Sequence, residues 1–119
     1  MAACSLIVNA IEAEFLAGVA VVDTLEGAAK AARMLIDFYP AAIVTAGGEG
    51  VAYCGRDGEA FAMAAIPVNV VSTHGAGDEF VGAFAAGLAR GHQVEAALAA
   101  ANAAAALLVA TPERQREAI

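Results

Sequence analysis

The stretch "VSTHGAGDEFVGAF", Val71 to Phe84, joins an apolar β-branched run to a long pattern of alanine and glycine that is typical of a helix. Three small residues, Gly75-Ala76-Gly77, stand at the junction, and Asp78 follows them directly. A glycine-rich turn that opens a helix presents unpaired backbone N–H groups and the positive end of the helix dipole. The stretch therefore predicts a strand-to-helix junction that suits a phosphate without needing a basic side chain.

Two common phosphate-binding motifs do not fit this junction. Walker A requires a lysine after the second glycine of its loop, and neither "AGGEG" nor "HGAGDEF" contains one. The dinucleotide fingerprint G-x-G-x-x-G fails because Phe80 takes the place of its last glycine. Spacing alone leaves two interpretations open. Either the glycines let a helix pack closely on a strand and Asp78 is a partner of the helix dipole, or they hold a phosphate and Asp78 accepts a proton from an attacking hydroxyl.

Composition narrows the class of protein. A chain of 119 residues is about one domain, and its formal net charge of −7 disfavours nucleic acid and anionic membrane surfaces as partners. No secretory leader pattern is present, so we expect a cytoplasmic protein in which Cys4 and Cys54 are reduced thiols. The apolar window Val94 to Ala110 contains Glu95 and Asn102, which favours a buried helix over a membrane span.

Apolar periodicity divides the chain into short strands and covering helices, which indicates an α/β layered domain. Asp57-Gly58 is a strong signal for a β-hairpin, and "AGGEG" supplies positions where positive φ is favourable. The predicted strands are Leu6 to Val8, Ala42 to Thr45, Val51 to Cys54, Ala60 to Ala64 and Val68 to Val71. The predicted helices are Ile11 to Leu16 ending at Gly18, Thr24 to Tyr39 capped by Asp23 and ended by Pro40, Ala76 to Arg90, and Val94 to Val109.

Four segments resemble, in order along the chain, motifs of the ribokinase-like (PfkB) carbohydrate kinases. "STHGAGDEFVGAFAAGLARG" resembles their C-terminal signature, D-T-x-G-A-G-D followed by Phe, a small-residue helix and Gly. "NAIEAEFLAG" resembles the N-x-x-E segment at Asn9 and Glu12, and "IVTAGGEGVAYC" resembles the T-x-G-x-x-G nucleotide turn. "ALAAANAAAALLV" resembles the adenine-side helix, with Asn102.

The resemblance implies an α/β fold, the C-terminal part of a three-layer ribokinase-like α/β/α sandwich whose mixed sheet contains one antiparallel hairpin. Residues 1–119 would form its nucleotide-binding and catalytic part, without the N-terminal substrate-binding part and lid. A sheet that lacks those strands would expose an apolar edge and face. We therefore expect self-association or binding of a complementary N-terminal fragment.

The activity implied by the resemblance is ATP-dependent phosphorylation of a hydroxyl group on a sugar or similar small alcohol. Asp78 would be the general base, and the amides of Gly75 to Gly77 would form the anion hole for the transferring phosphoryl group. Asn9 and Glu12 would orient phosphate and Mg²⁺, with Glu12 acting on the metal through water. The ATP-binding residues implied by the resemblance are Asn9, Thr45, Ala46, Gly47, Gly48, Glu49, Gly50 and, near the adenine, Asn102.

One departure from the family pattern concerns a further cofactor. Ser72 replaces the leading Asp of the signature, a residue that helps to form a monovalent-cation site in the family, so activation by potassium is in doubt here. An alternative function from a different class stays open. The chain would then be a catalytically silent nucleotide-binding or oligomerising module that keeps the glycine turn without a substrate pocket.

Overall fold

A computed structural model describes residues 5–18, 24–67 and 75–110, and the chain divides into two compact units, residues 1–65 and 66–119. The described elements of the first unit are β1 (Ser5–Asn9), α1 (Ala10–Ala17), α2 (Leu25–Leu35), β2 (Ala41–Thr45), a 3₁₀ turn (Gly47–Glu49), β3 (Gly50–Gly55) and β4 (Ala60–Ala64). Those of the second unit are α3 (Ala76–Ala89) and α4 (Val94–Val109). The predicted α/β class with a mixed sheet is confirmed. The predicted hairpin is β3 with β4, and β2 with β3 is a second antiparallel pair joined by a short turn.

The sheet of the first unit has the strand order β1-β2-β3-β4. β1 and β2 are parallel, whereas β2 with β3 and β3 with β4 are antiparallel. The register pairs Asn9 with Thr45, so the last residues of the two parallel strands lie side by side. The two polypeptide segments that follow these strands therefore begin at the same edge of the sheet.

The core of the first unit is built mainly from small side chains. Ala28, Ala31, Ala32 and Leu35 are buried on α2 and recur at the three- and four-residue spacing of a helix face. That face lies against β2 and β3, whose Ala42, Val44, Ala52 and Cys54 belong to the same buried cluster. Since alanine projects only a methyl group, the backbone of α2 approaches the sheet closely.

The start of α2 is fixed by a side-chain cap. Thr24 is the N-cap, and its Oγ1 accepts a hydrogen bond of 2.9 Å from the N–H of Gly27. Asp23, the cap predicted from the sequence, lies outside the described residues. The predicted strand Val68 to Val71, Ser72 and the charged tail also lie outside them.

The end of α2 was predicted wrongly. The helix ends at Leu35, four residues before Tyr39, and the N–H of Tyr39 donates to the Leu35 carbonyl at 3.1 Å within a tight turn. Arg56, at the hairpin turn, explains the early end, because its Nε donates to the carbonyl of Ile36 at 2.6 Å. An external donor thus satisfies a helix-end carbonyl while the chain turns into β2.

Close packing of α3 against α4 defines the second unit. A Cβ placed on Gly87 would lie 3.1 Å from the Cβ of Ala97, tighter than ordinary van der Waals contact. α4 spans the predicted residues, and α3 ends one residue before the predicted Arg90. Within the described parts of the chain, no helix is both long enough and apolar enough to cross a bilayer.

Gly50 occupies a position at which both the backbone conformation and the surrounding atoms require glycine. Its φ of 129° lies in a region that side chains rarely adopt, and a Cβ would collide with the carbonyl oxygen of Met63. We expect Gly50→Ala to lower the free energy of unfolding by about 3 kcal/mol in urea denaturation. Gly48→Ala is the matched control, because its φ is ordinary and the described structure places no atom within 4 Å of the added methyl group. Equal stability of both variants would contradict this account.

Candidate functional site

Asn9 ends β1 and caps α1 with a reciprocal pair of hydrogen bonds. The Asn9 Oδ1 accepts from the N–H of Glu12 at 2.8 Å, and the Glu12 Oε1 accepts from the N–H of Asn9 at 3.0 Å. This arrangement is a capping box, which places the N-x-x-E segment at the carboxyl end of β1. A polar cap followed three residues later by glutamate is the usual sequence signature of a capping box, so this feature could have been predicted.

Thr45 lies beside Asn9 at the end of the neighbouring parallel strand. Its Oγ1 donates a long hydrogen bond of 3.5 Å to the carbonyl of Val8, which links β2 to β1 just before the capping box. The chain then enters the 3₁₀ turn, which is closed by a 2.8 Å hydrogen bond from the N–H of Ala46 to the Gly50 carbonyl. The structure therefore brings Asn9, Glu12 and residues 45–50 to one edge of the sheet. In open α/β sheets, ligands bind at the carboxyl ends of the parallel strands.

The turn after β2 exposes main-chain atoms. Gly47 has a φ of 53°, the left-handed conformation expected for "AGGEG". Gly47, Gly48 and Glu49 are exposed, and no described atom lies within 4 Å of a Cβ built on either glycine. A planar or anionic group could therefore approach this backbone without steric conflict.

The N-terminus of α3 forms a second open main-chain surface, in the second unit. Gly75 is the N-cap with φ 82° and ψ 0°, and no described side chain caps this helix. The first intrahelical hydrogen bond runs from the N–H of Glu79 to the Gly75 carbonyl at 3.0 Å, so the four N–H groups from Gly75 to Asp78 precede the ladder. Asp78 and Glu79 are exposed in the first turn, where carboxylates also favour the helix dipole.

Asn102 lies half-buried on α4, in the same unit as this helix terminus. The side chain of Leu108, six residues further along α4, comes within 3.7 Å of a Cβ built on Gly75. A helix rises about 1.5 Å per residue, so Asn102 lies roughly 9 Å along α4 from that contact. The second unit therefore contains the proposed adenine-side residue, the glycine turn and Asp78.

Glu12 is the residue that the family resemblance assigns to Mg²⁺, and it lies in the first unit. Among the described residues, no three His, Cys, Asp or Glu side chains converge. Mg²⁺ at nucleotide sites keeps several waters and takes one or two carboxylates together with substrate phosphates. Glu12 is an exposed carboxylate whose Oε2 takes no part in the capping box, which suits a contact through water.

Cys54 is a free cysteine that belongs to the buried cluster of the first unit. Its side chain is 7% exposed, and burial raises the pKa of the thiol, although Arg33 lowers it and Asp57 raises it further. Tyr53 beside it stacks on Phe61 with 5.8 Å between ring centroids. Burial, followed by the negative charges of Asp57 and Glu59, raises the pKa of the Tyr53 phenol.

Comparison with known proteins establishes the family. Residues 2–118 match the model of the pfkB family carbohydrate kinase, and the chain belongs to this family. It is 47% identical to ribokinase from Bacillus subtilis (strain 168) over 72 residues, which are 60% of this chain and 24% of that protein.

Solved structures of the family have the same fold over part of their length. Arabidopsis thaliana ribokinase, complexed with ribose and ATP, is 31% identical with a TM-score of 0.74, over 90% of this chain and 35% of that chain. A ribokinase II from E. coli, in complex with ATP and Mg²⁺, is 30% identical with a TM-score of 0.71, over 91% and 33% of the respective chains. The present chain thus spans between a quarter and about a third of the length of these relatives.

The raised pKa values of Cys54 and Tyr53 predict how stability depends on pH. Unfolding restores the lower, ordinary pKa of both groups, so the unfolded chain loses these protons first as the pH rises. The stability that the two groups contribute is therefore complete below the ordinary thiol pKa of about 8.5 and decreases above it. Urea denaturation at a series of alkaline pH values should show this decrease. Tyr53→Phe should weaken the dependence, and an unchanged slope would contradict the assignment.

Proposed function

We propose that this chain is the nucleotide-binding and catalytic-base part of an ATP-dependent carbohydrate kinase that phosphorylates a hydroxyl group on a sugar or similar small alcohol. One observation carries the proposal beyond family membership. The exposed carboxylate of Asp78 follows directly on the amides of Gly75 to Gly77, at a helix N-terminus that no described side chain caps. A proton acceptor beside a main-chain anion site suits phosphoryl transfer to an alcohol.

In the proposed reaction, Asp78 accepts the proton of the substrate hydroxyl group. The hydroxyl oxygen forms a bond to the γ-phosphorus of ATP, and the bond from that phosphorus to the bridging β–γ oxygen breaks. The bridging oxygen takes the bonding electrons and leaves with ADP. The amides of Gly75, Ala76 and Gly77 donate hydrogen bonds to the transferring phosphoryl group and stabilise the charge on its oxygens.

The other motif residues bind the rest of the nucleotide in this proposal. Residues 45–50 contact the phosphates and ribose, and Asn102 contacts the adenine side. Asn9 and Glu12 orient the phosphate and the waters of Mg²⁺, which neutralises phosphate charge when it is bound. The binding of ATP and Mg²⁺ by the E. coli relative supports these assignments.

The chain spans only part of the length of its relatives, and α1 exposes large apolar side chains that a partner could cover. Ile11 and Phe15 lie one turn apart on α1 and are 78% and 87% exposed, an unusual display of large apolar side chains. We propose that a complementary N-terminal kinase segment or a second copy of the chain covers them.

The catalytically silent module is the second candidate function, because the chain spans only 24% of the curated ribokinase.

Binding and turnover distinguish the two candidates. With Mg-ATP at about 100 times its Kd, we expect the full chain to gain about 2.7 kcal/mol of stability, measured as a rise in Tm. Turnover is assayed as ADP release with a panel of pentoses, hexoses and small alcohols. Stabilisation without ADP release would favour a silent nucleotide-binding module. No stabilisation would contradict the kinase and leave only the oligomerising form of the silent module.

Asp78→Asn tests the general base against a closely matched control. Glu79→Gln removes the same charge from the same first turn of α3, so the two variants should have similar stability. We expect Asp78→Asn to lower kcat by two to four orders of magnitude while Mg-ATP still binds, and Glu79→Gln to retain most of the activity. Equal activity of the two variants would exclude Asp78 as the base.

Gly77→Ala tests whether the α3 amides meet the phosphate. Gly77 and Gly82 both have ordinary φ values, and the described structure leaves at least 4 Å of space around an added Cβ at each. Alanine is the better helix former, so both variants should be as stable as the parent or more stable, by up to about 1 kcal/mol. Only Gly77→Ala should weaken Mg-ATP binding, measured by isothermal titration calorimetry. Equal affinities would indicate that no ligand approaches this turn closely.

A further inference from the structure

β4 lies at the outer edge of the described sheet, with β3 as its neighbour on one side. Two backbone hydrogen bonds bracket the ladder between these strands. One runs from the N–H of Gly55 to the Glu59 carbonyl at 2.8 Å, and the other from the N–H of Ala65 to the Glu49 carbonyl at 3.4 Å. Residues of an antiparallel strand alternate between those that bond to a given neighbour and those that point away from it. The odd-numbered residues of β4 therefore bond to β3.

Ala60 and Ala62 direct their N–H and C=O groups to the outer edge instead. Both residues are exposed, and no residue in the described parts of the chain forms a hydrogen bond with these groups. Natural sheets usually protect an exposed edge with a charged side chain, a proline or a bulge. The sequence of β4, Ala-Phe-Ala-Met-Ala, has neither a charge nor a proline, and its pairing with β3 has no bulge. This edge can therefore accept a further strand.

An aromatic stack on one face of the sheet ends at the same edge. Phe61 lies opposite Tyr53 of β3, and their rings stack with 5.8 Å between centroids and 27° between planes. Tyr53 is buried, whereas Phe61 is only half-buried. A strand that paired with the outer edge and placed an aromatic ring beside Phe61 would extend this stack.

We propose that the occupant of this edge is a second copy of the chain, whose β4 pairs antiparallel with β4 about a two-fold axis at Phe61. Ala60 of each copy then lies opposite Ala62 of the other, and each such pair exchanges two backbone hydrogen bonds. Phe61 lies opposite Phe61 of the second copy at a non-hydrogen-bonded position, where side chains come closest. The two stacks of Tyr53 on Phe61 join into one continuous row.

The distribution of charge favours this pairing. Glu59, the charged residue next to β4 in the chain, lies opposite Met63 of the second copy, so the two Glu59 residues are separated by about 14 Å along the strands. The formal net charge of −7 makes two copies repel each other over most of their surface, and the uncharged edge is where they can approach. Because one strand from each copy makes the contact, the dimer is weak and depends on concentration. It does not rest on the proposed phosphoryl transfer.

The dimer Kd of the full chain is measured by sedimentation equilibrium. We expect the parent chain to dimerise with rising concentration, and added NaCl to lower the Kd because salt screens the repulsion between copies. Ala62→Pro removes an outward N–H and no hydrogen bond to β3, so the Kd should rise about tenfold or more. Ala62→Lys, which adds a charge to the edge, should raise it similarly. The matched control is Ala99→Lys, at an exposed alanine of α4, which should keep the parent Kd.

Three results would overturn the inference. A parent chain that stays monomeric up to about 1 mM has no such dimer. Equal weakening by Ala62→Lys and Ala99→Lys would mean that added charge acts without regard to the edge. A dimer that survives Ala62→Pro but is lost in Phe15→Ser would place the contact on α1. Circular dichroism checks that each variant folds, and if Ala62→Pro does not, the comparison of the two lysine variants decides. Mg-ATP binding is not required, so failure of the proposed function leaves this result readable.

Discussion

The parallel pairing of β1 with β2 is the constraint on which the first unit depends. Its register places Asn9 directly opposite Thr45, so two segments that are 36 residues apart in the chain start from one edge of the sheet. A shift of one residue would turn every side chain of β1 to the opposite face. The buried Val8 would then leave the core, and Asn9 would no longer lie beside the glycine turn.

The first N–H groups of α1 and of α3 differ in whether a described side chain accepts hydrogen bonds from them. At the start of α1, side chains satisfy the first N–H groups through the capping box. At the start of α3, the N-cap is a glycine in the left-handed conformation, and no described side chain replaces it as an acceptor. Glycine at an N-cap costs only about a few tenths of a kcal/mol relative to a good capping side chain, so the described part of α3 begins without one at little cost in stability.

The elements that depend on local signals could be predicted from the sequence. Gly18 and Gly91 follow the ends of α1 and α3, Asp57-Gly58 lies in the turn between β3 and β4, and α4 has the predicted bounds because it is rich in alanine. The end of α2 could not be predicted, because it depends on Arg56, twenty residues further along the chain. That Asn9 meets Thr45 depends on strand register, which no local pattern specifies. The motif residues of the candidate site were recognisable only as a set, since the glycine turn alone fitted a packing role equally well.

The abundance of alanine in the core has a consequence for how the chain tolerates variation. Where Ala28, Ala31 and Ala32 face the sheet, and where Gly87 faces Ala97, there is little volume left to remove and almost none to add. A smaller side chain can hardly be introduced at these alanine and glycine positions. A larger one destabilises the protein, because a single extra methylene forces the two backbones apart. Substitutions at these buried alanines are therefore constrained mainly against larger side chains. Valine and threonine, whose codons differ from those of alanine by one base, are the replacements that selection must most often remove.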